Sequence, residues 1–190
     1  LSKKGFPPLP LYMAKWIAQQ TLGRKALPGG YLFLESDPGM GKSRLLRAAS
    51  RGEVDCLNSL FLIYFDARRP VYCCCRDFFN TILRAVHSFL PRYRAESRDV
   101  SVLCAILLEA LRRRSPERKV LVLIDHLHDA PPELFSLLPS AETLPNDIFF
   151  LLSFDRGTRK KEEFISRFQK IAPAASWTLT HDDFSNTLLM

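Results

Sequence analysis

What this chain lacks narrows its role. No run of about 18 uncharged apolar residues occurs along its 190 residues, so no membrane-spanning helix is expected. The opening stretch LSKKGFPPLPLYMAKW has two lysines but neither a continuous apolar core nor a small-residue cleavage site, and it does not read as a secretory signal. It begins at Leu1 rather than methionine, as a fragment or a processed product does. Paired C-x-x-C spacing is also missing. The five cysteines, Cys56, Cys73, Cys74, Cys75 and Cys104, are odd in number and poorly placed for a disulfide framework or a structural zinc site. A reducing, cytoplasmic setting is expected, with Cys73-Cys74-Cys75 acting as small apolar residues that lead into a helix. Acidic residues are absent from the first 30 positions, where Lys3, Lys4, Lys15, Arg24 and Lys25 supply +5 of the total formal charge of +7. Such a leader suits nucleic acid or acidic lipid, or else a solvated linker, as the prolines of FPPLP favour.

What remains is ordinary for a globular domain: 47% hydrophobic and 25% charged residues, enough chain for one sizeable core. Glycine is scarce, eight in all, yet two of the eight fall within one octapeptide, Ser36-Asp37-Pro38-Gly39-Met40-Gly41-Lys42-Ser43. This stretch follows the phosphate-binding pattern G-x-x-x-x-G-K-[ST] except that serine holds the first glycine position. It also has the context that the pattern needs. The apolar run YLFLE, residues 31–35, precedes it as a strand, and SRLLRAAS follows it as a helix.

Further along, a short amphipathic helix is predicted over 12–25, with Trp16, Ile17 and Leu22 as its apolar points, and a turn at Pro28-Gly29-Gly30. Strands are predicted at 60–66, 120–124, 148–152 and 177–179, and helices at 77–89, 99–114, 132–138 and 161–171. The apolar points of the 99–114 helix are Val102, Leu103, Ile106, Leu107, Ala110 and Leu111. The run VLVLI, apolar on both faces, belongs in the middle of a parallel sheet. The alternation of strands and helices predicts an α/β three-layer sandwich with a mostly parallel central sheet. The expected division is a basic leader over 1–29, a nucleotide-binding domain over 30–181 and a tail over 182–190.

In such sheets ligands bind beyond the C-terminal strand ends. Gly39 and Gly41 can take backbone angles that turn amide groups toward a phosphate, backed by the helix N-terminus. Lys42 then offers a charge to the β and γ phosphates and Ser43 a hydroxyl to Mg2+, with Arg44 next in line. Ser36 is read as a modified turn residue, Asp37 and Pro38 as loop. Asp125, at the tip of the buried strand, is expensive to bury unless it is paired or coordinated, and is expected to share the magnesium ion with Ser43. In the following IDHLHDA segment Asp129 is a candidate for polarising water, or else a helix cap. Ser153 and Arg156 are candidates for contact with the terminal phosphate. Arg68 and Arg69 follow the second strand and are open to phosphate, a neighbouring subunit or water. No N-K-x-D segment for reading guanine occurs, which favours ATP.

Taken together, SDPGMGKS, IDHLHDA and FFLLSFDRG resemble the nucleotide-binding domain of the signalling ATPases called STAND, relatives of AAA+ and NACHT domains, over roughly residues 30–180. The resemblance implies a P-loop NTPase fold with a Walker A loop (Gly39, Gly41, Lys42, Ser43) and a Walker B acid at Asp125. Asp129 stands where the family has glutamate, His128 where it has aspartate, and Ser153 at a sensor position whose neighbours Phe154, Asp155 and Arg156 depart from the usual T-S-R. The implied activity is ATP binding with slow, Mg2+-dependent hydrolysis coupled to switching or assembly with protein partners. A nucleic-acid loader or transposition helper, using the basic leader, and a pseudo-ATPase scaffold are the alternatives.

Overall fold

The computed structural model describes residues 9–68, 71–86, 100–114, 117–140, 143–156 and 175–178. In chain order the elements are α1 (Leu11–Leu22), β1 (Gly30–Ser36), α2 (Lys42–Ser50), β2 (Phe61–Asp66), α3 (Val71–Val86), α4 (Val100–Arg114), β3 (Val120–Asp125), α5 (Pro132–Ser136), β4 (Ile148–Asp155) and β5 (Ala175–Thr178). The strands form one parallel sheet in the order β2-β3-β4-β1-β5. The central strands β3 and β4 are those whose sequences are apolar on both faces, and every residue of Val120–Asp125 is buried. Edge strand β2 alternates instead, with Ile63 and Phe65 buried and Leu62 and Tyr64 partly so.

Side chains alternate across a strand, and two apolar clusters follow from that period. Tyr31, Ile63, Phe65, Val120, Val122, Ile124, Ile148, Phe150 and Leu152 meet α3, α4 and α5. Leu32, Leu34, Leu121, Leu123, Phe149 and Leu151 meet α1 and α2 on the other face. At about 1.5–3 kcal/mol for each fully buried large apolar side chain, these two interfaces are the main source of stability. The helix within the basic leader is part of the second cluster through Met13, Ala14 and Ile17.

Several boundaries differ from the sequence expectation. Helix α3 starts at Val71, so Cys73, Cys74 and Cys75 lie within it rather than ahead of it. Strand β4 runs on to Asp155. Ser153 therefore lies inside the strand, because its partners beyond Leu152 are Ser153 with Leu34, Phe154 with Glu35 and Asp155 with Ser36. In α4 Val102 is exposed while Leu107, Ala110 and Leu111 are buried. The helix expected over 161–171 lies outside the described residues. No helix among the described residues is long and apolar enough to cross a membrane.

Candidate functional site

The same period of two that builds the core assembles the site. Counting on from Leu32 and Leu34 places Ser36 on the α2 face. From Leu121 and Leu123 the count reaches Asp125; from Phe149 and Leu151 it reaches Ser153 and Asp155; from Leu62 and Tyr64 it reaches Asp66. Five polar side chains thus collect at the C-terminal strand ends on the face to which the glycine loop delivers α2.

Within the loop, the positive backbone angles fall on Gly39 (φ 84°) and Gly41 (φ 83°). Nothing lies near enough to Gly39 to clash with a side chain, so glycine is needed there for its conformation. At Gly41 the ring of Pro10 adds a wall 3.4 Å from where a Cβ would sit. Ser36 has no positive φ. That is why serine is tolerated at the first position of the pattern.

Lys42 is 5% exposed. Its ammonium lies 2.7 Å from Ser36 Oγ, 3.0 Å from the Ser36 carbonyl, 3.2 Å from the Asp37 carbonyl and 2.8 Å from Asp155 Oδ1. Ser36 therefore does more than turn the chain, because its hydroxyl accepts a hydrogen bond from the loop lysine. Asp155 is held from behind. Its backbone N–H donates to His128 Nδ1 at 3.3 Å, which leaves the proton of a neutral His128 ring on Nε2. That Nε2 faces Asp155 Oδ2 at 3.7 Å and Asp129 Oδ2 at 3.5 Å.

Asp125 is 1% exposed and is stabilised by neutral donors. Ser153 Oγ donates to its Oδ1 at 2.8 Å, as does the His126 backbone N–H at 3.0 Å, and Tyr64 Oη donates to Oδ2 at 3.1 Å. Tyr64 in turn accepts from Arg47 Nε at 3.0 Å. Burial pushes the Tyr64 phenol up to about 12, against the pull of that guanidinium. Arg47 also reaches Asp66 at 3.1 Å, and Arg68 binds the same carboxylate at 2.9 Å. Burial raises the Asp66 carboxyl, but the hydrogen bonds from the Arg68 side chain and backbone outweigh it, and the group falls to about 2.

His126 occupies the centre of this face in a left-handed conformation (φ 55°, ψ 42°) that non-glycine residues adopt at a cost of roughly 1–2 kcal/mol. Its Nε2 is 3.2 Å from Ser43 Oγ. Its buried Nδ1 lies 3.2 Å from Asp125 Oδ2 and 3.4 Å from Asp66 Oδ1, out of line for a hydrogen bond. The imidazole therefore joins Ser43 to the strand-end acids. Ser43 and Asp125 offer oxygens of the kind that Mg2+ takes, but Ser43 lines the cavity over the loop whereas Asp125 is not part of its wall and accepts hydrogen bonds on both oxygens. Among the described residues no group of three or more His, Cys, Asp or Glu side chains is arranged to hold a metal by itself.

A cavity of about 720 Å³ opens over the loop, within the roughly 300–1,000 Å³ of small-molecule sites. Gly39, Met40, Gly41, Lys42, Ser43, Arg44, His126 and Asp155 line it, with Leu9, the α2 residues Arg47 and Ala48, and Arg51 and Glu53 just beyond α2. Ser36 and Asp37 reach it through Lys42, and Pro38 stays in the turn. Ser153 acts through Asp125. Asp129 is 49% exposed beside His128 and is not part of the wall. Arg156 is exposed and contributes its backbone N–H to the Ser36 carbonyl at 3.0 Å. Sequence reasoning missed Asp155, Asp66, Tyr64 and Leu9. The parity of strand residues was the available signal for the first three, and LFLIYFD ends in aspartate as VLVLID does.

No protein-family model matches the chain, and no curated protein matches it in sequence. Among solved structures it is similar to the Aeropyrum pernix ORC2 protein in its ADPNP-ADP complexes, at 18% identity and a TM-score of 0.54, over 99% of this chain and 53% of that one. It is also similar to Drosophila ORC bound to DNA, at 17% identity and a TM-score of 0.52, over 95% of this chain and 46% of that one. The chain spans about half the length of these proteins. At this identity the likeness is one of fold alone, a parallel central sheet flanked by helices, and it does not single out STAND or NACHT domains.

Proposed function

We propose that this chain is an ATP-binding regulatory domain of the P-loop NTPase type that couples nucleotide occupancy to conformational switching or assembly with protein partners, as STAND-like domains do. The observation that carries this reading is a buried lysine at the mouth of a left-handed glycine turn, facing a cavity of nucleotide size. A buried ammonium is costly unless anions meet it, and a phosphate chain is the anion that a glycine turn opening a helix is shaped to receive. Lys42 would bind the phosphates, Leu9 would give an apolar wall to the base, and the flank carries Arg44, Arg47 and Arg51, with Glu53 beside Arg51. Ser43 and Asp125 would hold the Mg2+ that accompanies ATP, an ion that supplies charge neutralisation at the phosphate oxygens.

Slow turnover fits this site better than rapid turnover. The acid at the cavity wall, Asp155, is paired with Lys42, and Asp129 lies to the side with His128. Water positioning tolerates little displacement. A second reading, a nucleic-acid-associated AAA+ ATPase, is favoured by the basic leader and by the fold shared with a protein seen on DNA. A steep salt dependence of DNA binding would separate it from the first.

Titration calorimetry of ATP with Mg2+ tests the main reading. Binding in the micromolar range, on the order of −8 kcal/mol, is expected for the wild type and is expected to vanish in Lys42→Ala. ATP binding that survives Lys42→Ala, or DNA binding without any nucleotide binding, would overturn it.

A further inference from the structure

We infer that Asp155 is a built-in competitor for the nucleotide. Its carboxylate holds Lys42 in the place of a phosphate oxygen and thereby sets how strongly the site takes polyphosphate. The inference rests on the nucleotide reading above.

An ammonium has three protons to give. Lys42 faces four oxygens within 3.2 Å, three from Ser36 and Asp37 and one from Asp155. Its donor capacity is therefore spent inside the protein. Of the four acceptors only Asp155 carries a full charge. The other three belong to β1 and the turn leaving it, and they move only if the loop moves. Asp155, 25% exposed, lies on the cavity wall, where its carboxylate can exchange protein for water. An arriving phosphate must either displace this carboxylate from Lys42 or sit beside it, and like charges placed side by side in a partly buried site repel each other. The fold keeps the carboxylate in place through strand register, which sets Asp155 opposite Ser36, and through His128, which accepts the Asp155 N–H and turns Nε2 toward the second carboxylate oxygen.

Removing the charge while keeping the shape should therefore tighten binding, a direction that structural damage does not produce. ATP with Mg2+, and AMP as a nucleotide too short to reach Lys42, are titrated into the 190-residue wild type, Lys42→Ala, Asp155→Asn and Asp155→Ala, each first shown to unfold cooperatively on heating. The expected result is loss of ATP binding in Lys42→Ala and ATP binding about tenfold tighter in both Asp155 variants, with AMP unchanged. Binding to the Asp155 variants by a chain whose wild type is silent would support the inference equally. If Lys42→Ala abolishes binding but the Asp155 variants take ATP no more tightly, or gain as much for AMP, the inference is wrong and the nucleotide reading stands. If neither the wild type nor the Asp155 variants bind ATP, both fall together.

Discussion

Two buried charges define this face of the sheet, and the protein treats them in opposite ways. Asp125 meets three neutral donors, from Ser153, Tyr64 and the His126 backbone, all fixed by strands or by the turn that follows. Lys42 meets an anion, Asp155, at the rim of a cavity. A charge stabilised by neutral donors carried on neighbouring strands and the following turn stays where it is when ligands come and go. A charge neutralised by a carboxylate at a cavity wall can change partners when another anion arrives. The first arrangement fixes a carboxylate at the strand end, and the second leaves an ion pair at the rim of the cavity.

If that contrast is right, replacing Asp125 should do the greatest harm to the fold. Asp125→Ala leaves the hydroxyls of Ser153 and Tyr64 and one backbone N–H without a partner in a buried place. Stability should fall by about 3 kcal/mol, given about 1–3 kcal/mol for each unsatisfied group and some rehydration. Urea unfolding of this variant beside Asp155→Asn measures the comparison directly, the latter losing less because the Ser36 and Asp37 oxygens still meet the Lys42 ammonium. Equal losses would erase the distinction.

A smaller effect concerns Asp66, the strand-end acid next in register to Asp125. Its carboxyl sits near about 2 instead of its ordinary 3.8 because the Arg68 hydrogen bonds win over burial. A depressed folded value means that the contribution to stability is complete above pH 3.8 and drains away as the pH falls toward 2. Arg68 is about half exposed, so solvent screening leaves the contribution modest. In Arg68→Ala the Asp66 carboxyl should rise, and acid unfolding should begin at a higher pH. NMR titration of that carboxyl is the check, and an unchanged midpoint would remove Arg68 as the cause.

The smallest change is expected from Ser36→Gly, which restores the usual first residue of the loop. It deletes one neutral acceptor of Lys42 and leaves the Asp155 pair intact. ATP affinity should rise by less than about threefold, roughly 0.6 kcal/mol, compared with the larger gain in Asp155→Asn. A gain as large as that of Asp155→Asn would shift the control of Lys42 from the charge to the serine.

Much of this could be read from the chain. VLVLI and IFFLL announce central parallel strands because both faces are apolar, and SDPGMGKS announces its turn because Gly39 and Gly41 can adopt the positive angles that it needs. Asp125 was legible as an acid at a buried strand end. The partners were not. The β4 strand was expected to end near Leu152, with Asp155 beyond it as a departure from the T-S-R pattern, and extending the strand by three residues placed it opposite Ser36. Nothing in IDHLHDA announced the left-handed backbone of His126, whose ring lies against Ser43. The Cys73-Cys74-Cys75 run was read as a lead into α3 and belongs to the helix itself.

The sequence by itself determined the strands, most of the helices and the shape of the glycine turn, since these depend on apolar period and local backbone freedom. It also determined which residues of one strand share a side, because parity along a strand is local, but not which sides meet across the sheet or that β4 runs on to Asp155. Only the tertiary structure decided that β4 stands between β3 and β1. That order brings Ser153 to Asp125 and Asp155 to Lys42, because a buried charge takes its partner from whichever strand the sheet puts next to it, however far away it lies in the chain.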